Sequence, residues 1–294
     1  MRLDLGYDGS DFAGWASQPG LRTVQGTLEE ALGTVLRCPP PRLTVAGRTD
    51  SGVHARRQVA HLDLDRDVWR AVCGRIEGTP AQVLVRRLSG VLPSDVVVHA
   101  ASEAPPGFDA RFSPLRRRYT YRVADEPALV DPLHRVAVLR HRVPLDADVM
   151  HRAAQPLVGL HDFAAFCKPR PEATTIRTVL ALDVERPAEG ADAGLVTITI
   201  EADAFCHSMV RSIVGALLAV GEGRRPEAWP GELLAAGLRA ATVAPAQGLT
   251  LEQVVFPSDA ELAARAEQTR ARRVAPVAPT ADDAGGCGCA DAEG

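Results

Sequence analysis

One short segment combines residue types and spacing that could do chemistry. Residues 46–54 read Ala-Gly-Arg-Thr-Asp-Ser-Gly-Val-His, with one acidic residue between two glycines. Gly47 and Gly52 allow tight turns and the close approach of a ligand to the backbone. The carboxylate of Asp50 could then act as a nucleophile, as a general base or as a ligand for a cation. An Asx turn, in which the side chain only stabilises the loop, fits the same pattern. The residues alone leave both interpretations open.

Other chemistries have weaker support in the sequence. A metal site at Asp50 is disfavoured because no second carboxylate or histidine lies at ligand spacing from it. His54, taken alone, is expected to be a structural residue that forms hydrogen bonds. The chain has no GxxxxGK[ST] loop and no GxGxxG segment after a strand, so the common phosphate-binding loops are excluded. We therefore predict neither a metal nor a cofactor.

The elements that must hold this loop mix strands and helices without a strict β-α-β alternation. Alternating apolar residues predict strands, and apolar residues at helical spacing predict helices. The predicted strands are residues 2–7, 43–46, 58–64, 96–101, 117–124, 178–185, 195–202 and 254–256, with a further candidate at 136–140. The predicted helices are residues 24–37, 68–92 with a break at 78–80, 147–158 with a kink at Pro156, and 208–220. This order favours an α+β fold with antiparallel sheets.

Bulk charge does not identify a partner. The chain has 294 residues and a formal net charge of −4, which by itself argues against a nucleic-acid partner. Lys168 is the one lysine, so nearly all of the 33 basic residues are arginine. Arginine pairs with phosphate through two hydrogen bonds and stacks on bases. The excess of arginine could equally reflect a GC-rich genome, and we leave both explanations open.

Composition also bears on the compartment. No run approaches 18 apolar residues and the N-terminus lacks an apolar signal region, so we predict a cytoplasmic protein without a membrane span. Four cysteines, Cys38, Cys73, Cys167 and Cys206, are scattered in a way that suits neither a disulfide framework nor a metal knuckle. Two more lie in the Gly-rich tail at 287 and 289, and we assign them no function.

Residues 46–54 resemble the signature of the tRNA pseudouridine synthase A family. Other blocks are similar to that family in order and spacing: residues 7–10, 23–29, 108–113, 117–121, 204–211 and 247–249. The similarity runs from about residue 2 to residue 257. It implies an α+β fold of two related domains whose antiparallel sheets join around a central catalytic cleft. We assign residues 1–106 to the first domain, 107–257 to the second, and 258–294 to a tail with a short helix followed by disorder. Residues 73–87 look like an insertion relative to the commonest family form.

The resemblance also implies an activity. Members of the family isomerise uridine to pseudouridine at positions 38, 39 and 40 in the anticodon stem-loop of tRNA, without a cofactor or metal, and act as homodimers. Asp50 matches the family's nucleophile, and Arg48 matches the arginine expected to hold the flipped nucleotide. The alternatives are a pseudouridine synthase acting at another RNA site and a non-catalytic RNA-binding protein of the same fold.

Two further matches complete the expected site. Tyr119 matches the active-site tyrosine, whose ring can stack on uracil and whose hydroxyl can take part in proton transfer; the alternative is a core aromatic residue on a strand. Arg211 matches an arginine expected to pair with Asp50 and keep it ionised; the alternative is an arginine on a helix surface. Further RNA contacts are expected from loop and strand residues, namely Phe108, Arg111, Phe112, Arg117, Arg118 and Arg177.

Overall fold

The structure, a computed structural model, describes residues 1–169 and 174–271. Its strands are β1 (Arg2–Tyr7), β2 (Thr44–Val45), β3 (His54–His61), β4 (Val96–Ser102), β5 (Arg116–Ala124), β6 (Leu139–Arg140), β7 (Gly159–Asp162), β8 (Ile176–Glu185), β9 (Val196–Ala202) and β10 (Leu249–Val255). Its helices are α1 (Val24–Leu36), α2 (Arg66–Ala71), α3 (Pro80–Ser89), α4 (Ala147–Ala154), α5 (Met209–Gly221), α6 (Trp229–Ala236) and α7 (Leu262–Arg270). The predicted α+β class is confirmed.

The strands form one mostly antiparallel sheet in the order β4-β1-β3-β10-β5-β9-β8-β7, with β2 beside β3 and β6 beside β5. The two halves of the chain repeat one pattern. The first half gives the order β4-β1-β3-β2, and the second gives β10-β5-β9-β8. Each half is a split β-α-β unit with a helix after its first strand and a helix before its last. This repetition favours two related units, while the boundary between residues 106 and 107 stays a prediction.

The two halves meet where β10 runs parallel to β3. Thr250 pairs with His54 and Leu251 with Ala55, so the last strand of the second half lies beside the strand that follows the Asp50 loop. β10 also pairs with β5 along its other edge. The Asp50 loop is therefore brought next to β5, which carries Tyr119.

The two faces of the sheet differ, as the alternation along β5 makes clear. Tyr119, Tyr121 and Val123 are buried in the hydrophobic core together with the helices. Arg116 and Arg118 point to the opposite face, where both contact Glu201. Burying one face beneath helices and leaving the other polar is what an α+β sheet of this kind requires.

The predicted elements are largely found, although some bounds differ; β3, for example, begins at His54 rather than at residue 58. Helix α4 gives way to a 3-10 turn at Gln155–Leu157, as Pro156 predicts. The last strand begins at Leu249 rather than at residue 254, because a bulge between Leu251 and Gln253 breaks its alternation. Strand β7 and helix α6 were not predicted, since four residues and a proline-containing first turn give little periodic signal.

The segment after residue 257 is helical as far as the structure describes it. A short 3-10 turn at Asp259–Glu261 leads into α7, and Leu262 and Ala266 are buried. The expected disorder and the cysteines at 287 and 289 lie outside the described residues. Of the helices that the structure describes, none is long and apolar enough to cross a membrane.

Candidate active site

The Asp50 loop links β2 to β3 and is shaped by a tight turn. The N–H of Val53 donates to the Asp50 carbonyl over 3.2 Å, and Gly52 has a φ of 77°, which favours glycine. The segment that contains Gly14 and Trp15 packs against this loop. The N–H of Trp15 donates to the Thr49 carbonyl over 3.0 Å. Gly14 lies so close that a Cβ atom there would stand 2.9 Å from the same oxygen.

A network of buried polar side chains holds the Asp50 loop in place. Gln58 is fully buried on β3, and its side-chain amide donates to the Gly47 carbonyl over 2.8 Å and to the Tyr7 hydroxyl over 3.3 Å. The Tyr7 hydroxyl in turn lies 2.8 Å from the hydroxyl of Thr49. Burial raises the pKa of Tyr7 to about 12, although the hydrogen bonds from Thr49 and Gln58 lower it. The phenol is therefore neutral, and both residues that flank Arg48 are held in place.

The Asp50 carboxylate points toward the second half of the chain. Its Oδ2 lies 3.4 Å from Nη1 of Arg211 and 3.3 Å from the Ser208 hydroxyl, and its Oδ1 lies 3.4 Å from Nε2 of His207. Arg211 is held by its Nε, which donates to the Ala244 carbonyl over 2.7 Å. In an Asx turn the carboxylate would bind backbone N–H groups of its own loop. Its contacts with three side chains at the start of α5 favour the chemical interpretation.

Ser208 has an unusual backbone conformation at this point. Its φ of 63° places a residue other than glycine in the left-handed region, which costs roughly 1–2 kcal/mol. The residue precedes α5 and places its hydroxyl beside Asp50. Strain of this kind persists where the surrounding structure imposes it, and functional sites are common places for it.

Tyr119 lies on β5 at the same cleft. Burial raises the pKa of its phenol well above the ordinary value, and the nearby Tyr7 and Asp50 raise it further, while Arg117 lowers it. The edge of the ring meets Phe205 with centroids 5.1 Å apart. A neutral phenol that faces the cleft can stack, donate a hydrogen bond or hand on a proton.

One cleft of about 870 Å³ is lined by Asp50, Tyr119, His207, Ser208 and Arg211. Among the described residues of its wall, seven are arginine and Asp50 is the one carboxylate. The arginines are Arg42, Arg48, Arg111, Arg117, Arg177, Arg211 and Arg270. The first turns of α1 and α5 also face it, through Gln25 and Met209, and helix N-termini carry partial positive charge. The cleft is thus strongly basic although the chain is acidic overall, so it suits a polyanion.

Comparison with known proteins agrees with this chemistry. Residues 153–257 match the profile described as tRNA pseudouridine synthase. The tRNA pseudouridine synthase A of Frankia casuarinae is 58% identical over 279 residues, which cover 94% of this chain and 96% of that protein. The proteins of that name from Streptomyces griseus and Leifsonia xyli are each 55% identical, covering 95% and 93% of this chain and 95% and 97% of their own. The chain belongs to the tRNA pseudouridine synthase A family.

The structure of this family member brings the four main predicted residues together. Asp50, Arg48, Tyr119 and Arg211 all line the cleft, with Arg48 exposed on the Asp50 loop. Of the further RNA contacts expected, four also line it: Arg111, Phe112, Arg117 and Arg177. Within the described residues, no group of three or more His, Cys, Asp or Glu side chains could hold a metal ion.

Three of the expected contacts are engaged within the protein. Arg117 is buried, and its guanidinium donates to the carbonyls of Ala46, Arg111 and Asp203, so it braces the cleft wall from within. Arg118 is on the opposite face of the sheet from Tyr119 and contacts Glu201 over 3.5 Å. Phe108 packs on Phe256 with centroids 5.0 Å apart and does not line the cleft. That these residues contact RNA stays a prediction.

His54 has the structural position expected of it. Its Nδ1 accepts from the N–H of Gly9 and its Nε2 donates to the Gln247 carbonyl, both over 3.1 Å. The Asp8 carboxylate also lies 3.1 Å from the same Nδ1. The residue thus ties the turn after β1 to the segment before β10, and it holds the two halves of the site together.

Several residues of the site were missed. Ser208 and His207 contact Asp50, and both belong to the block at 204–211 that carried the resemblance, so a signal was present. Cys167 and Cys206 form a disulfide with Cα atoms 5.7 Å apart, contrary to the expectation of unpaired cysteines. Their separation of 39 residues gave no hint of this, because proximity in space depends on the loop that carries His207.

Proposed function

We propose that this protein isomerises uridine to pseudouridine in tRNA, at positions 38, 39 and 40 of the anticodon stem-loop. The observation that carries the proposal is the placement of Asp50 as the one carboxylate among seven arginines in the described wall of the cleft. A protein that only binds RNA gains nothing from a carboxylate facing phosphates, because like charges repel. A nucleophile that reacts with a nucleotide must instead face the bound RNA, as Asp50 would in this cleft.

The first step is the capture of the RNA strand. The basic wall attracts phosphates, and the target uridine must leave the base stack at a cost of a few kcal/mol that RNA contacts offset. Arg48 is exposed at the tip of the Asp50 loop, where its guanidinium can occupy the space that the flipped base leaves. We assign it the role of holding the flipped nucleotide.

The chemical step belongs to Asp50. Its carboxylate attacks the uridine, the glycosidic bond breaks, the uracil turns, and its carbon 5 is joined to the ribose. The bond to Asp50 breaks as carbon 5 is joined, the proton on carbon 5 is lost and nitrogen 1 takes up a proton, so atoms balance without oxidation, reduction or net hydrolysis. Arg211, anchored by the Ala244 carbonyl, contacts the carboxylate and fixes its direction. Tyr119 offers a neutral ring for stacking and a hydroxyl for proton transfer.

The proposed substrate constrains how the RNA is recognised. One Asp50 must reach three neighbouring uridines, so recognition cannot depend on hydrogen bonds to one fixed base sequence. It has to use phosphates and the shape and flexibility of the RNA. We further propose a cytoplasmic homodimer, since one cleft is small beside a tRNA and a second subunit would extend the binding surface. In each subunit, residues 1–106 and 107–257 would supply opposite walls.

The relatives support this reading, because each is named tRNA pseudouridine synthase A and aligns over nearly the whole chain. An alternative substrate, a uridine elsewhere in tRNA or in another RNA, would use the same residues. A non-catalytic binder is disfavoured by the contacts that orient the Asp50 carboxylate.

One assay tests the proposal and separates these alternatives. tRNA carrying tritium at uridine carbon 5 is incubated with the protein, and the positions that lose label are then mapped. Loss of label from positions 38, 39 and 40 supports the proposal. Loss confined to another arm of the tRNA would refute the site but keep the reaction. Tight binding without any loss of label would establish the non-catalytic alternative.

A further inference from the structure

Helix α7 follows the last of the sequence blocks that carry the family resemblance, and it is built into the wall of the cleft. Leu262 and Ala266 are each 2% exposed. The Leu262 carbonyl accepts from the buried Ser113 hydroxyl over 3.2 Å, and Arg265 donates to the Pro114 carbonyl over 3.3 Å. Gly107 meets the helix so closely that a Cβ atom there would stand 2.6 Å from the Cβ of Ala263. The helix is therefore docked on residues 107–114 along one side.

Asp109 connects this docking to the surface of the cleft. Its Oδ1 accepts from the N–H groups of Arg111 and Phe112, which closes the turn that presents both side chains. Its Oδ2 accepts from Nη2 of Arg270, at the end of α7, over 2.8 Å. One carboxylate thus sets the positions of Arg270 and Phe112 together.

The result is a pair of arginines on one aromatic ring. The guanidinium carbons of Arg111 and Arg270 each lie 4.9 Å from the centroid of the Phe112 ring. Thr269, Arg270 and Ala271 line the same cleft as Asp50. The side chain of Arg270 is 51% exposed and that of Asp109 is 18% exposed, so the cation and not the anion faces solvent.

We propose that Arg270 is an RNA-binding residue, which together with Arg111 grips a phosphodiester of the strand that enters the Asp50 cleft. This inference rests on the proposed function and adds α7 to the substrate-binding surface. Two planar guanidinium groups held on one ring are preorganised, so little side-chain entropy is lost when they bind a phosphate. The hydrogen bond to Asp109 occupies one N–H of Arg270, and a guanidinium has five.

The charges around Arg270 favour an anion in addition to Asp109. Cations near a helix C-terminus are stabilised by the dipole, which explains why Arg270 ends α7 but not why it faces the cleft. The two cations on the Phe112 ring, Arg111 and Arg270, have the Asp109 carboxylate beside them, which leaves a net positive charge that favours a further anion. The backbone of an RNA strand supplies such anions in series.

The test compares the full-length protein with three variants. Arg270→Ala removes the cation and Arg270→Glu reverses it. Arg70→Glu on α2, whose side chain is 74% exposed and which is not part of the cleft wall, is the matched control. tRNA dissociation constants are measured between about 50 and 200 mM salt, the range in which phosphate contacts change affinity steeply. Unfolding temperatures and the rate at saturating tRNA are recorded for each protein.

We expect Arg270→Ala to raise the dissociation constant about threefold to tenfold and to reduce the slope against salt by about one phosphate contact. Arg270→Glu should weaken binding further, while Arg70→Glu stays within about twofold of the parent. Equal affinity and equal salt slope in the parent and both Arg270 variants would overturn the inference and leave the proposed function standing. A loss in Arg70→Glu as large as in Arg270→Glu would overturn it as well. If the parent protein neither binds tRNA nor releases tritium, the proposed function fails first.

Discussion

The carboxylate of Asp50 and the guanidinium of Arg211 lie 3.4 Å apart, although 161 residues separate them in the chain. Asp50 belongs to the loop before β3, and Arg211 to the first turn of α5. The parallel pairing of β3 with β10 and the hydrogen bonds of His54 join the two halves that carry them. The site therefore exists only when both halves of the chain are folded together.

Tyr119 and Tyr121 provide a matched pair of hydroxyl deletions on the same strand. Tyr119 faces the cleft, whereas the hydroxyl of Tyr121 donates to the Pro245 carbonyl over 2.8 Å. We expect Tyr119→Phe to slow tritium release about a hundredfold or more, the usual loss when a group that transfers protons is removed. Tyr121→Phe should instead lower the free energy of unfolding by about 1 kcal/mol, because it removes a partly buried hydrogen bond.

Single-turnover rates and urea unfolding distinguish the two effects. Both variants keep the ring, so packing is nearly unchanged. If Tyr119→Phe reacts as fast as the parent, the Tyr119 hydroxyl takes no part in the chemistry, and stacking remains the role of the residue. The prediction would also fail if Tyr121→Phe were the slower of the two while remaining folded.

Arg48 and Arg118 test whether the face of the sheet decides which arginines matter. Arg48 is exposed in the cleft, and Arg118 contacts Glu201 on the opposite face. Loss of a charged hydrogen bond in the reacting complex is worth about 1.5–3 kcal/mol, so Arg48→Ala should slow the reaction about tenfold to a hundredfold. Arg118→Ala should stay within about twofold, since exposed ion pairs contribute little.

The measurement is the rate of tritium release against tRNA concentration for both proteins. A large rise in the Michaelis constant for Arg118→Ala, with Arg48→Ala unaffected, would mean that RNA binds to the polar face of the sheet. The basic cleft would then not be the main binding surface.

His61 gives the fold a dependence on pH. Burial lowers the pKa of this imidazole, although Asp109 and Asp63 raise it, and its Nδ1 accepts from the N–H of Ala110 over 3.0 Å. The unfolded chain therefore binds a proton at a pH where the folded chain does not. This contribution to stability is present above the ordinary value of about 6.5 and is lost as the pH falls below it.

Urea unfolding at several pH values between about 5 and 8 measures this effect. His61→Gln keeps an acceptor for the Ala110 N–H but does not titrate, so its stability should fall less steeply below about pH 6.5 than that of the parent. Identical slopes for the two proteins would show that His61 does not contribute. Because both proteins share all other titrating groups, the difference between their slopes reports on His61 alone.

The sequence was sufficient for the centre of the site. The glycines around Asp50 indicated a loop that could present a carboxylate, and the block at 204–211 located Arg211. The alternation along residues 117–124 also placed Tyr119, Tyr121 and Val123 on one face. Applied to Arg117 and Arg118, it would have put the first on the face of Tyr119 and the second on the opposite one, which is what the structure has.

The rest depended on contacts between distant residues. The position of Phe108, for example, follows from Phe256, which lies 148 residues later and packs against its ring. Helix α7 is polar along most of its length, and only its contacts with residues 107–114 make it part of the cleft. Patterns of period two or 3.6 describe one element at a time, so they do not reveal which elements meet.

The most direct test of the account is tritium release by Asp50→Asn. The substitution keeps the shape of the side chain but removes its charge, so the attack on the uridine should be lost while tRNA affinity stays within about tenfold, or roughly 1.4 kcal/mol. Asp67→Asn on α2, whose carboxylate is 93% exposed, is the matched control and should react like the parent. The account predicts no release above background from Asp50→Asn with tRNA bound. Turnover by that variant at a rate close to that of Asp67→Asn would contradict it.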